Sequence, residues 1–286
     1  MFLSESAVIR ANDKIFNNYY LLEVEARGVG KARPGQFYMV KIGNGTDPLL
    51  RRPFCLHKTV SDDIIKILYR AGGYGTKLLT KLVKGDTLNV LGPLGNGFII
   101  GGEVKRVLLV AGGIGVAPMV ALAEEIKRKK LECVCFIGGR GRDDVLGIHE
   151  FKELGFDVHT STEDGSVGRK GYVTAPLEDY ILKHQMSQKA SDLSPSPNPL
   201  PSRERAQDFD GLVIYSCGPT PMMQGVAALA DRHGIKNYAS LEANMACGIG
   251  ACMGCVVPVI DKEHGTTVYK KVCEDGPVFD TDDVAW

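Results

Sequence analysis

The sequence contains no apolar run approaching the roughly 18 residues that cross a bilayer, and residues 1–12 hold no basic stretch leading into an apolar one. These absences argue against a helical membrane span or a secretion leader and lead to the expectation of a cytoplasmic protein. Neither sign of charge is in excess: 34 Lys and Arg balance 34 Asp and Glu. No electrostatic case arises for binding nucleic acid or an anionic membrane. Tryptophan occurs once, at Trp286, and the six histidines form no spaced pair suited to a metal. Nothing resembles a substrate pocket equipped with its own acid, base and nucleophile.

At 286 residues the chain can bury more than one core. Up to about residue 100, short β-rich runs at 19–24, 36–42, 64–69 and 87–91 alternate with turns rich in Gly, Pro and Asp. They predict an antiparallel β-barrel, interrupted by one helix over 75–83. From Arg106 the pattern becomes strand, glycine loop, helix, with buried strands at 107–111, 133–137, 158–160 and 212–216 and helices at 118–130 and 221–233. This alternation predicts an α/β doubly wound parallel sheet. Residues 187–208 hold four prolines and five serines with almost nothing to bury, and are expected to be a mobile surface insertion. The stretch beyond 240 is dense in Gly and Cys, then β-rich at 255–260 and 266–272, and reads as a small C-terminal β-rich module. The expected divisions are 1–101, 102–239 and 240–286.

Cysteine is concentrated: of eight, four fall within 27 residues, as Cys247-x4-Cys252-x2-Cys255 with Cys273 following after 17 more. The first three follow the plant-type ferredoxin spacing and the last supplies a distant fourth ligand for a [2Fe–2S] cluster. Two bridged irons need four thiolates from a compact loop, and Gly248, Gly250, Ala251 and Gly254 give the backbone clearance to wrap them. Four thiolates also satisfy tetrahedral zinc, but zinc ribbons pair two Cys-x-x-Cys knuckles and only one is present. Cys133 and Cys135 lie in an apolar strand and are expected to pack in the core.

Two glycine-containing loops follow buried strands of the second region. Ala111-Gly112-Gly113-Ile114-Gly115-Val116-Ala117-Pro118 follows a buried strand and opens a helix, the context required of a pyrophosphate site. Cys217-Gly218-Pro219 ends a later strand. Earlier, Arg51-Arg52-Pro53-Phe54-Cys55 precedes Leu68-Tyr69-Arg70 and then Gly72-Gly73-Tyr74-Gly75-Thr76. In this order the segments resemble the ferredoxin–NADP reductase superfamily.

That resemblance implies FAD and a nicotinamide nucleotide. Arg52 would face the FAD pyrophosphate, with Gly75 and Thr76 as an amide cradle and Pro53, Phe54, Cys55, Leu68, Tyr69 and Arg70 beside the flavin. Gly112, Gly113, Gly115 and Pro118 would form the NAD loop, with Gly218 and Pro219 beside the nicotinamide and Cys217 near the hydride-transfer position. Cys55 replaces the usual Ser, which either changes hydrogen bonding to the flavin or merely packs. Arg140, Arg142, Asp143 and Asp144 offer both charges for the 2′ position; NAD is the expected nucleotide. A C-terminal aromatic covers the flavin in some relatives, but here the cluster module intervenes and Trp286 is expected to pack locally.

A flavin barrel, a nucleotide domain and a C-terminal cluster loop, in that order, resemble the electron-transfer subunits of NAD-dependent heteromeric dihydroorotate dehydrogenases. The resemblance implies an FMN-containing catalytic partner subunit that oxidises dihydroorotate in pyrimidine biosynthesis, with two copies of each chain. Met245, Ile249 and Met253 would contribute to the partner surface. The alternatives are a flavin subunit of an NAD(P)H:ferredoxin or sulfide-type oxidoreductase, in which one cluster ligand is often not cysteine, and a non-catalytic redox sensor.

Overall fold

The computed structural model describes residues 2–43, 45–191 and 211–286. Strands β1 (Phe2–Phe16), β2 (Tyr19–Glu25), β3 (Phe37–Lys41), β4 (Arg52–Cys55), β5 (Lys58–Ser61), β6 (Ile64–Arg70) and β7 (Thr87–Leu94) form one antiparallel sheet, ordered β4-β3-β7-β1-β2-β6-β5. β4 and β5 are its opposite edges, yet only Leu56 and His57 separate them in sequence, so the sheet must curl until its edges meet. Those two residues stitch the seam: Leu56 N–H donates to Gln36 O and His57 N–H to Lys66 O, each at 3.0 Å. Alternate residues such as Leu22 and Val24, or Ile65 and Ile67, are fully buried inside the resulting barrel.

Helix α1 (Tyr74–Leu79) is shorter than the expected 75–83. The Asp86 carboxylate accepts the Val83 N–H at 2.8 Å, and Gly85, at φ +95°, turns the chain into β7. Local capture of the backbone thus competes with a fourth leucine-rich half-turn.

The second sheet has the order β11-β10-β9-β8-β12-β13-β16. Its parallel members are β8 (Arg106–Gly112), β9 (Glu132–Gly139), β10 (Asp157–Thr162), β11 (Arg169–Lys170), β12 (Leu212–Cys217) and β13 (Lys236–Ser240). Leu109 and Ala111 of β8 pack with α2 (Val116–Arg128) and α3 (Ile148–Glu153) on one face. Leu108 and Val110 pack with α4 (Thr174–Ser191) and α5 (Thr220–His233) on the other. Each aliphatic side chain buried in this way contributes about 1.5–3 kcal/mol. Cys133 and Cys135 belong to the first of these cores, as expected. The strand order reverses between β8 and β12, which opens a crevice at their carboxyl ends.

Residues 187–191 of the expected insertion continue α4; 192–208, for which mobility is expected, lie outside the described residues. Among the described residues no helix is long and apolar enough to cross a membrane.

After β13 the chain forms the cysteine loop, then a hairpin of β14 (Val256–Asp261) and β15 (Thr266–Lys271). It returns as β16 (Val278–Asp280), antiparallel to β13. The core of this last region is shared: Cys255, Cys273 and Phe279 pack with Phe37 and Met39 of the barrel and Met223 of α5. Trp286 is 39% exposed, and the chain end is tied to the hairpin through Ala285 N–H and Pro258 O at 3.1 Å.

Candidate functional site

The crevice between β8 and β12 has a volume of about 800 Å³ and is walled by Gly112, Gly113, Gly218, Pro219, Met222 and Glu242, among others. Its narrowness follows from glycine. A Cβ on Gly115 would collide with the Cys217 carbonyl and come within 2.7 Å of Gly218 Cα. Only a bare backbone lets the two loops close on each other. Pro118 is the third residue of α2, where the missing N–H has no intrahelical acceptor to lose. The short turn Gly113–Gly115 that leads into α2 lines the crevice through Gly113 and Ile114, which sets a helix start, the place where an anionic pyrophosphate finds amide donors, at its wall.

Cys217 ends β12 fully buried, and burial, followed by Cys55 and Glu242, raises its thiol pKa well above the ordinary value. Cys55 is half-buried, and burial with a smaller push from Glu242 raises it to about 12. Both sulfurs are neutral thiols. Glu242, to which the sequence reading gave no role, stands at the crevice mouth, reachable by water but walled by protein. Loss of hydration raises its carboxyl pKa, and Arg70 opposes the shift. The structure thus gathers Cys55 from the barrel, Cys217 from the nucleotide sheet and Glu242 from the start of the cysteine loop.

The flavin-motif residues divide between two surfaces. Arg52 lies against the first turn of α1, where a Cβ on Gly75 would be 3.0 Å from its Nε, and its Nη1 donates to the carbonyls of Leu50 and Arg51. Thr76 Oγ1 accepts the N–H groups of Gly72 at 3.1 Å and Gly73 at 3.0 Å, which fixes the turn before the helix. The amides of Gly75 and Thr76 belong to the first turn and lack intrahelical acceptors. A second cleft of about 600 Å³, lined by Arg51, Arg52, Tyr74, Asn244 and Met245, runs from here to the cysteine loop. Pro53 pairs with Met39 in the barrel sheet. Phe54 and Tyr69 pack edge to face at 5.9 Å, and the Tyr69 hydroxyl donates to Asn12 Oδ1 at 3.0 Å, so both rings face the barrel. Leu68 packs toward the nucleotide domain and Arg70 lines the crevice.

The hairpin explains the long interval before Cys273. β14 and β15 pair Val256 with Lys271, which returns the chain to Cys255, and Val272 N–H donates to Cys255 O at 3.0 Å. Each of the four sulfurs accepts a backbone N–H. The donors are Ile249 to Cys247, Gly254 to Cys252 and Cys273 to Cys255, each at 3.4 Å, and Gly250 to Cys273 at 3.1 Å. Burial raises the Cys247 pKa, but the Ile249 amide and further donors from Cys252 and Ala251 outweigh it and bring the thiol down to about 7.

The thiols of Cys247 and Cys252 interact, as do those of Cys255 and Cys273, and Cys247 also acts on Cys273, so the four form one group. Among the described residues no three such side chains converge as on a single ion. Two thiolates for each of two irons is the donor set a [2Fe–2S] cluster takes, and the residues fit it. Cys252 is exposed, whereas Cys255 and Cys273 are buried. The loop docks on the barrel: Gly248, at φ +73°, leaves its missing Cβ 2.5 Å from Met39 Cγ.

Comparisons with known proteins agree with this geometry. A structure of an NADH-dependent reduced ferredoxin-NADP oxidoreductase superposes with a TM-score of 0.76 and 26% identity, over 99% of this chain and 90% of that one. Phthalate dioxygenase reductase shares the fold, with a TM-score of 0.58 at 18% identity over 93% of this chain and 76% of that one. Fold and sites together define an NAD-linked iron–sulfur flavoprotein of the ferredoxin–NADP reductase type, with FAD, NAD and a [2Fe–2S] cluster as its cofactors.

The oxidoreductase NAD-binding domain matches residues 109–228, and the iron-sulfur cluster binding domain of dihydroorotate dehydrogenase B matches 242–285. Curated relatives named dihydroorotate dehydrogenase B (NAD(+)), electron transfer subunit, include one from Fusobacterium nucleatum, 36% identical over 98% of both chains. Another, from Bacillus caldolyticus, is 38% identical over 96% of both. The chain belongs to this family of electron transfer subunits.

Proposed function

We infer that this chain receives electrons from a catalytic partner subunit that oxidises dihydroorotate and delivers them to NAD⁺. When bound, the cluster supplies one-electron transfer, NAD(H) exchanges hydride, and FAD converts between the two. The observation that carries the reading is the contiguity of the three sites around β3 and β4. Met39 pairs with Pro53 of the flavin motif and packs against Gly248 of the cysteine loop. Two residues beyond Pro53, Cys55 packs against the core that includes Met223 of α5 in the nucleotide domain.

Under this proposal Cys247, Cys252, Cys255 and Cys273 hold the cluster. Arg52, with the first-turn amides of Gly75 and Thr76, holds the FAD pyrophosphate. The strand segments 53–55 and 68–70 form the flavin wall through their backbone and through Pro53, Cys55 and Arg70, while the side chains of Phe54, Tyr69 and Leu68 pack into the cores behind it. Gly112, Gly113, Gly115 and Pro118 hold the NAD pyrophosphate, and Cys217, Gly218 and Pro219 border the nicotinamide. NAD is favoured over NADP because both arginines near the 2′ position are engaged. Arg140 pairs with Asp144 at 3.2 Å, and Arg142 Nη2 donates to Ser166 O at 3.1 Å. The proposed functional units are 1–101 for FAD, 102–239 for NAD and 240–286 for the cluster. The exposed Ile249 and Met253, 49% and 54% accessible, together with Met245, support a partner surface beside the outer thiols. The proposed partner carries FMN, in a cytoplasmic complex with two copies of each chain.

The test is anaerobic expression with and without an FMN-type dihydroorotate dehydrogenase subunit, followed by iron and flavin analysis and a dihydroorotate-dependent NAD⁺ reduction assay. Activity in the pair alone is expected. A flavin- and iron-replete pair that NADH reduces but dihydroorotate does not would move the assignment to a ferredoxin-type reductase.

A further inference from the structure

We propose that His57 is a positioning residue for hydride exchange: its imidazole ties the barrel seam to the first turn of α2 and so sets the spacing between the flavin strand and the nucleotide loop. The proposal rests on the FAD and NAD sites assigned above. His57 is 3% exposed, and its Nδ1 lies 3.2 Å from the Ala117 carbonyl, 60 residues away in sequence. Tyrosines aside, it is the one buried polar side chain of the barrel among the described residues.

Nothing in the packing requires a polar group there. The Ala117 carbonyl accepts a bond within α2 whether or not the imidazole is present. An aliphatic side chain would fill the seam without the desolvation cost of a buried imidazole. What the imidazole adds is direction. A carbonyl acceptor selects the tautomer with hydrogen on Nδ1, and that bond fixes both the distance and the angle between two rigid elements.

The elements joined are the ones that matter. His57 follows Cys55 by two residues, and Ala117 follows Gly115 by two. Gly115 in turn closes on the Cys217 carbonyl. Backbone and contacts thus run without a break from Cys55 through His57, Ala117 and Gly115 to Cys217. Within that chain of contacts His57 is the link made by one side-chain hydrogen bond. A second tie runs alongside, Lys58 Nζ to Glu124 Oε1 at 2.8 Å, and Ala121 of α2 packs into the barrel core. Residues 117, 121 and 124 lie on one face of the helix, so α2 rests on the barrel along a line and His57 pins the end nearest the nucleotide loop. The charged groups facing the ring are Glu150 of α3, Glu124 of α2 and Lys58 of β5; burial outweighs them and keeps the imidazole neutral.

The experiment uses the FAD- and cluster-loaded chain in three forms. His57→Leu fills the space without a donor, His57→Asn keeps a donor near the Nδ1 position, and His57→Gln places its amide too far out. Readouts are the rate of flavin bleaching by NADH in a single turnover, the NADH dissociation constant, and the long-wavelength absorbance band of nicotinamide stacked on flavin. Misplacement by a fraction of an ångström is expected to slow bleaching about tenfold in His57→Leu and weaken the band, with NADH affinity within about threefold of wild type. His57→Asn is expected within about twofold of wild type. If His57→Leu does not retain FAD, His57→Gln gives the same comparison against His57→Asn. Wild-type rates and an intact band in the donor-less variants would overturn the proposal, as would equal impairment of all three. If NADH fails to bleach the wild-type flavin, the underlying site assignment fails, and this proposal falls with it.

Discussion

The Tyr19 hydroxyl, on barrel strand β2, donates to Asp144 Oδ1 at 3.1 Å beyond the end of β9 in the nucleotide domain. Arg140 holds the other carboxylate oxygen at 3.2 Å. Tyr19 has its pKa raised by burial and then by Asp144, so it remains a donor at all ordinary pH values. One hydrogen bond to a partly exposed carboxylate is worth about 1 kcal/mol. Tyr19→Phe is therefore expected to lower the melting temperature by roughly 2–4 °C, without loss of iron. An unchanged melting curve would show that the barrel and nucleotide domain do not depend on this tie.

Gly115→Ala should act on NAD alone. The added methyl meets the Cys217 carbonyl, and overpacking of this kind costs about 1–3 kcal/mol. We expect NADH affinity to fall at least about tenfold while FAD and iron contents stay at wild-type levels. Equilibrium titration of NADH against the oxidised chain checks this. Full affinity in the variant would mean that the loops separate freely.

Cys252→Ser removes the exposed thiol. Iron content and the visible absorbance of the cluster should collapse, whereas NADH-driven reduction of ferricyanide, which needs only flavin and nucleotide, should persist within about twofold. Loss of both activities would indicate that the cysteine loop is needed to build the flavin site.

Glu242 yields a pH dependence with a definite sign. Its folded pKa is raised above the ordinary 4.5, first by loss of hydration, so the folded chain holds this proton more tightly than the unfolded one. Its contribution to stability is complete below about 4.5 and declines as pH rises through the folded value. Glu242→Gln carries no charge and should gain on wild type as pH increases. Urea midpoints of the two proteins, followed from about pH 4 upward to about 8, should diverge in favour of the variant once pH passes about 4.5; a constant offset over the whole range would mean that the carboxyl does not feel the crevice.

What could be read from sequence was whatever is encoded in local spacing. The four cysteines and the two glycine loops carry their chemistry within a few residues, and the structure places them beside one another. β1 escaped because its alternation is broken by register shifts between Ser4 and Ala7, Ile9 and Ala11, and Lys14 and Phe16. A period of two cannot be followed through bulges. Helix α4 escaped because its fully buried stripe is thin, with Leu177 and Ile181 set among polar residues. Glu242 and His57 were invisible for a different reason. One is made important by a crevice and the other by a carbonyl 60 residues away, and neither is a property of neighbouring sequence.

The placement of β16 on β13 bears on how this chain can be cut. Tyr238, Ala239 and Ser240 are paired with Asp280, Phe279 and Val278, so a stop codon after residue 240 would strip a long parallel sheet of its last neighbour. The bared strand would offer unpaired N–H and C=O groups to any other chain that met it. The cluster-bearing segment is thus no detachable cartridge: it is also the hem of the sheet that binds the nucleotide. A reductase lacking it would be expected to fail first by sticking to itself, before its redox chemistry could be assayed.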